Sequence, residues 1–223
     1  MTRIPFNRIN WPTSLFLMIT LSVSLTVLPW YLWHYGLDWF HVALFVIFFA
    51  ASSMSITLGY HRLFSHLAFK AKWPVKLGVL VFGASAFEGS AVDWCTDHRR
   101  HHKHVDQDED PYDITKGFFH AHVGWLLFKL RPEPPLDNIP DLLADRMVMW
   151  QHRYFPWIGA FVNLIAVPAL GYLWGGWESA LGALLIGSVL RVVLVQHSTF
   201  LSLIHISEPT RLRRISYAVF CLK

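Results

Sequence analysis

Charge is what this sequence has least of. Asp, Glu, Lys and Arg make up 15% of the chain, where a soluble domain carries about 25%. Cysteine is scarce too, with two in 223 residues. That excludes a disulfide-stapled scaffold. Glycine, at 13 residues, is far below the collagen pattern, and no internal repeat is present. Disorder is excluded from the other side, because 54% of the chain is hydrophobic and can bury ample apolar surface. The length suits one domain or two small ones. What is present in excess is 11 Trp and 13 His, on a formal net charge of +4. The composition points to a membrane, and the histidines point to a metal.

A spanning helix needs about 20 mostly apolar residues. Trp11 to Trp33 supplies an uncharged stretch with Trp at both ends, where amphipathic rings favour the lipid–water boundary. It is too long for a plain signal peptide and lacks a small-residue cleavage site. A second span runs from Trp39 to Leu58, and the intervening HYGLD makes the two a hairpin. Two more spans, Phe155 to Trp174 and Ala180 to Thr199, are joined by the turn GGWE. The expected fold is thus all-α: four transmembrane helices in two hairpins, with a cytosolic helical cap from residues 60 to 154 that carries the histidine motifs. Arg191 inside the fourth span either snorkels or pairs inside the bundle. Neither hairpin turn has Lys or Arg, whereas Arg3 and Arg8 precede the first span and the middle segment is rich in both. The positive-inside rule therefore puts the termini and the cap in the cytoplasm. Val75 to Ala91 is apolar but broken by Gly78, Gly83, Glu88 and Gly89. It reads as an interfacial or re-entrant helix. Arg131 to Pro140 is Pro-rich and reads as an extended loop.

Two histidine motifs carry the chemistry: HRLFSH, with His61 and His66, and HRRHH, with His98, His101 and His102. On a helix, positions i, i+3 and i+4 share a face, so the second trio is expected to converge on one side while Arg99 and Arg100 point elsewhere. The first pair is five apart, which is not a one-face spacing. It could serve two metals, or one metal from a helix end. Imidazole suits iron, copper, zinc and nickel. Taken singly, His34, His41, His104, His120, His122, His152 and His197 read as ordinary hydrogen-bonding residues. No Glu completes an HExxH zinc-protease motif, and electron-transfer copper would want Cys and Met. Imidazole without thiolate suits redox-active iron that meets dioxygen, with an apolar substrate entering from the membrane.

At these residues the chain resembles the membrane-bound acyl-CoA Δ9 desaturases, in particular bacterial members. The resemblance rests on GYHRLFSHLAFKA and on FEGSAVDWCTDHRRHHKHVDQDEDPYDITKGFFHAHVGWLLFK, and covers Gly59 to Lys129 closely. It implies a non-haem di-iron centre with His61, His66, His98, His101 and His102 as iron ligands, and O2 as co-substrate. It implies cis-Δ9 desaturation of a saturated acyl-CoA, with electrons from a separate ferredoxin, rubredoxin or cytochrome b5 type donor. Asp97 would orient a ligand imidazole, or be a solvated loop acid. Trp94 would line an acyl tunnel, or simply pack at the interface. Arg100 and Lys103 would meet CoA phosphates, or reflect the positive-inside bias. Phe49, Ser52 and Ser53 would close the tunnel's far end, or serve span packing. The acidic run Asp106 to Asp110 reads as a solvated face. The implied setting is a lipid bilayer, namely a bacterial inner membrane, with no nucleic-acid partner. A related hydroxylase or acyl-lipid desaturase is the alternative, and a histidine-lined metal transporter a more distant one, since that would put the motifs inside the spans.

The resemblance stops at Phe200. Leu201 through Arg211, and Ile215 through Lys223, each read as translated sequencing-adapter DNA, with Leu212, Arg213 and Arg214 where a short index would lie. Residues 201–223 are therefore set aside from fold reasoning; the competing reading is a native basic tail for anionic lipid. On the adapter reading His205 is no ligand candidate and Cys221 is not native. Five ligands remain where the family uses more. The chain as written is then expected to be incomplete, unable to hold two irons, and inactive.

Overall fold

The computed structural model describes residues 8–105, 107–129 and 135–202. The tail from residue 203, including His205 and Cys221, lies outside the described residues, as does Asp106. Helix α1, Trp11–Tyr35, begins with Pro12, whose missing N–H costs nothing in a first turn. It ends at Gly36, whose φ of 74° suits a residue without Cβ. Asp38 then caps α2, Trp39–Ser65, by accepting from the Phe40 N–H at 2.8 Å. Helix α3, Trp73–Ala84, and helix α4, Ala91–Lys103, follow. Ser90 and Asp93 form a reciprocal capping box at the start of α4. A π-helical turn, His120–Gly124, leads into the short α5, Trp125–Leu127; α6 is Pro140–Leu143. Last comes a 57-residue helical run, α7, Arg146–Ser202.

α1, α2 and α7 are long and apolar enough to cross a membrane. α7 contains both remaining predicted spans. Its backbone leaves the helical region at Gly175 (φ −152°, ψ 30°) and Gly176 (φ 70°, ψ −155°), within the predicted GGWE turn. The two halves touch across this break. A Cβ on Gly171 would stand 2.5 Å from the Ser179 carbonyl oxygen and 2.6 Å from the Ala183 Cβ. Trp33, Leu173 and Trp177 are 80% exposed or more, which suits a lipid-facing surface.

The central core joins α2, α3, α4 and α7 through Tyr60, Leu80, Val92, Cys95 and Val148. Tyr60 is fully buried, and its hydroxyl accepts from Gln151 Nε2 at 2.7 Å. Gln151 Oε1 in turn accepts from the Ala91 N–H, at the first turn of α4. Arg191 is fully buried and pairs inside the bundle. It donates to the Gly187 and Ser85 carbonyls, to the Ser52 hydroxyl at 2.9 Å, and to Asn163 Oδ1. Ser52, one of the residues considered for a tunnel end, is thus occupied by this knot and by Ser85.

The apolar stretch from Val75 does not run helical to Ala91. α3 stops at Ala84, and a loop pinned by side chains of α7 follows. Asn163 donates to the Ser85 carbonyl, and Gln196 donates to those of Ala86 and Phe87. Phe87 sits at φ 55°, unusual for a bulky residue.

Candidate metal centre

The two histidine motifs meet where the end of α2 faces α4. The last eleven residues of α2, Ser55–Ser65, are π-helical, and the His66 N–H bonds the His61 carbonyl at 3.0 Å. An i→i+5 turn brings residues five apart onto neighbouring positions. The first motif's spacing, which suits no α-helical face, is thereby explained. It also keeps the helix going past Leu58 to Ser65, so that His61 belongs to α2 itself.

Four imidazoles converge. His66 Nε2 lies 3.1 Å from His61 Nε2 and 3.2 Å from His98 Nε2, and His102 Nε2 lies 3.0 Å from His98 Nε2. The nitrogens of His61, His66, His98 and His102 all fall within 4.8 Å of one another. Nitrogens on adjacent positions of one metal, each bonded at about 2.1 Å, stand about 3 Å apart, so the donor set fits a shared cation. Burial holds His98 well below the usual imidazole range, and burial also lowers His66, with Arg99 adding to it. Both are therefore held as neutral imidazole, the form that ligates.

His101 is not in this group. Its ring stands 5.5 Å from that of His102, the next residue along α4. His101 Nδ1 instead donates to Asp110 Oδ1 at 2.8 Å, and its ring stands 5.1 Å from that of Tyr112. Asp110 is fully buried, unlike the exposed Asp108 and Glu109 beside it. The solvated-face reading of this acidic run is therefore corrected at Asp110. A carboxylate on one imidazole nitrogen fixes the ring and leaves Nε2 to ligate.

Arg99 does more than point away. It forks onto Asp141 with two 2.8 Å contacts, and donates to the carbonyls of Phe64, Ser65 and Asn138. It thereby fastens α4 to the residues just before His66. No spacing signal marks it in the sequence.

A cavity of about 300 Å³ adjoins the cluster, lined by Trp94, Asp97, Tyr112, Phe16, Phe87 and Glu88 among others. Trp94 stacks on His98 with ring centres 4.6 Å apart. Asp97 lines this cavity and leaves His98 Nδ1 buried without a partner; burial pushes its carboxyl up to about 6. Glu88, a mere helix breaker in the sequence, has both oxygens buried without a hydrogen-bond partner. Burial pushes its carboxyl up to about 8, while the polar groups of Thr199 and Trp94 act the other way. Phe49 and Ser53 lie elsewhere. Phe49 packs on the central core and stacks on Phe45, and Ser53 is half-buried. Arg100 and Lys103 share a second, more open pocket of about 410 Å³ with His104, Glu109, Pro135, Asp137 and Asn138.

The chain is similar in sequence to known proteins. The "Probable acyl-CoA desaturase" of Schizosaccharomyces pombe is 43% identical over 171 residues, covering 74% of this chain and 35% of that protein. "Acyl-CoA desaturase 1" of Saccharomyces cerevisiae is 33% identical over 203 residues, covering 88% of this chain and 39% of that protein. The "Acyl-CoA desaturase" of Ovis aries is 37% identical over 162 residues, covering 70% and 44%. The chain thus spans less than half the length of these relatives. The family profile described as "Fatty acid desaturase" matches residues 37–218. The chain belongs to the fatty acid desaturase family.

Proposed function

We propose that the protein from which this chain derives is an acyl-CoA desaturase that introduces a cis Δ9 double bond into a saturated acyl chain, with O2 as co-substrate and electrons from an external carrier. The observation that carries this reading is the four-imidazole group of His61, His66, His98 and His102 beside a cavity walled by Trp94. The alternative of a related hydroxylase or acyl-lipid desaturase would use the same group and differ in product.

His61, His66, His98 and His102 would hold one iron, and His101, oriented by Asp110, would serve a second whose other donors are not found among the described residues. Non-haem iron supplies the redox chemistry with dioxygen that takes two hydrogens from an unactivated chain. The chain's own residues position and exclude. Arg99 locks α4 against the end of α2, which fixes His98 relative to His66. Trp94 covers the buried face of His98 and bounds the acyl cavity, keeping water from it. Glu88 and Asp97 offer that cavity carboxyls with raised pKa, so Glu88 stays protonated at neutral pH. Arg100 and Lys103, in the open pocket, would take the phosphates of CoA as cations.

α7 supplies two spans, one on each side of Gly175–Gly176, for four in all. The termini and the cap face the cytoplasm, and a bacterial inner membrane suits the resemblance. The test is to join the chain to a complete parent gene and express it in a host that makes no unsaturated fatty acids. A cis double bond at the ninth carbon supports the reading, and a hydroxylated product would replace it. The chain as given, with one four-histidine group, is expected to bind one metal and turn over no acyl-CoA. Desaturation by the purified chain would overturn that.

A further inference from the structure

The segment between α2 and α3 turns large apolar side chains outward. Leu67 follows His66 directly and sits at φ 50°, a conformation costly for a branched side chain. Strain of this kind persists where something holds it, yet the Leu67 side chain is 63% exposed. Phe69, Trp73 and Val75 are also exposed, Trp73 by 68%, while Ala71 between them packs on the central core. One side of the segment is thus pinned, and its large apolar groups point out. Arg62, Lys70 and Lys72 are exposed beside them. No Asp or Glu occurs between Asp38 and Glu88, and the one ion pair of this stretch among the described residues is Lys76 with Asp145. The segment begins where the apolar run of α2 ends, at Ser65, so a spanning α2 delivers it to the headgroup layer.

We propose that residues 62–75 form a docking surface for anionic phospholipid, in which Arg62, Lys70 and Lys72 take the headgroup phosphates while Leu67, Phe69 and Trp73 enter the acyl boundary. Apolar wedges flanked by cations are what the interface of an anionic leaflet rewards. An acidic protein partner would match the cations but has no use for four apolar side chains around one pinned alanine. The surface also reaches the metal centre, because the Ala68 N–H bonds the Arg62 carbonyl and the His66 N–H bonds that of His61. Lipid that holds this loop holds the turn that presents His66.

The experiment reconstitutes the full chain in nanodiscs of phosphatidylcholine and phosphatidylglycerol, and reads retained lipid by native mass spectrometry. The native chain should retain phosphatidylglycerol, and R62Q/K70Q/K72Q should bind it on the order of 100-fold more weakly, as the loss of three surface cations implies. K116Q, at a cation paired with Asp113 at 3.1 Å, should retain it as the native chain does. Leu67→Gly separates contact from folding. It should melt no lower than the native chain in detergent, since the strain is relieved, but gain less from added phosphatidylglycerol. Equal retention by the triple variant, or equal loss in K116Q, would overturn the proposal. So would an unchanged lipid profile coupled to lost binding of an acidic ferredoxin, which would assign the surface to a protein.

Discussion

His98 is the hub of the site. Its Nε2 is within 3.2 Å of two other imidazole nitrogens, its ring is stacked on Trp94, and burial keeps it neutral. His98→Ala removes the nitrogen shared between both motifs, and should lower affinity for a divalent probe such as Co2+ by 100-fold or more on the order set for ligand-shell losses. His101→Ala leaves the four-nitrogen group untouched and should keep one Co2+ per chain. Equilibrium dialysis with elemental analysis checks both. Glu88 carries a pH signature. Its carboxyl ionises near 4.5 in a free chain and at about 8 in the fold. A raised carboxyl stabilises fully below the lower value, and its contribution is lost as pH rises through the upper one. The native chain in detergent should therefore melt lower as pH rises from 5 to 8. Glu88→Gln, neutral throughout, should flatten that slope and be more stable at pH 8 by roughly 4 kcal/mol. A slope that survives Glu88→Gln would place its origin elsewhere.

Elements explain why some of the site was legible and some was not. The second motif sits on an ordinary α-helix with a capping box, so spacing four put His98 and His102 on one face as read. The first motif sits on a π-helical stretch, and a 3.6-residue period cannot show that positions five apart will meet. His101 is placed by a longer-range contact: its Nδ1 pairs with Asp110, distant by nine residues, outside the four-nitrogen group. Such a contact has no periodic signature. Arg191 was visible as a charge in an apolar run, but not its partners. These come from α2, the loop after α3 and both halves of α7. Arg191→Leu leaves the buried Asn163 Oδ1 without its donor and removes one donor each from the Ser52 hydroxyl and the Ser85 carbonyl, which keep the Ser85 hydroxyl and the Asn163 amide as partners. An unmet buried acceptor costs about 1–3 kcal/mol, so the variant should melt below the native chain, or fail to accumulate in the membrane. Arg191→Lys keeps the charge but not the fork, and should fall between them.

At the scale of the whole molecule, apolar length was the strongest signal and connectivity the weaker one. Each expected span lies within one of the long helical runs, because about 20 apolar residues leave the backbone few ways to satisfy itself in lipid. The last two spans fall in a single run, interrupted only at Gly175 and Gly176. Whether that break marks a turn outside the bilayer decides between three crossings and four. The contact of Gly171 with Ser179 and Ala183 argues for a chain that doubles back, and the absence of Lys and Arg from GGWE argues for an outward turn. Single cysteines at Leu37, Lys116 and Trp177, in a chain relieved of Cys95 and Cys221, put this to the test with a membrane-impermeant maleimide. Leu37→Cys and Trp177→Cys should label in intact cells, and Lys116→Cys only after permeabilisation. Trp177→Cys labelling together with Lys116→Cys would mean that α7 does not cross twice, and would put the turn on the same side as the metal centre.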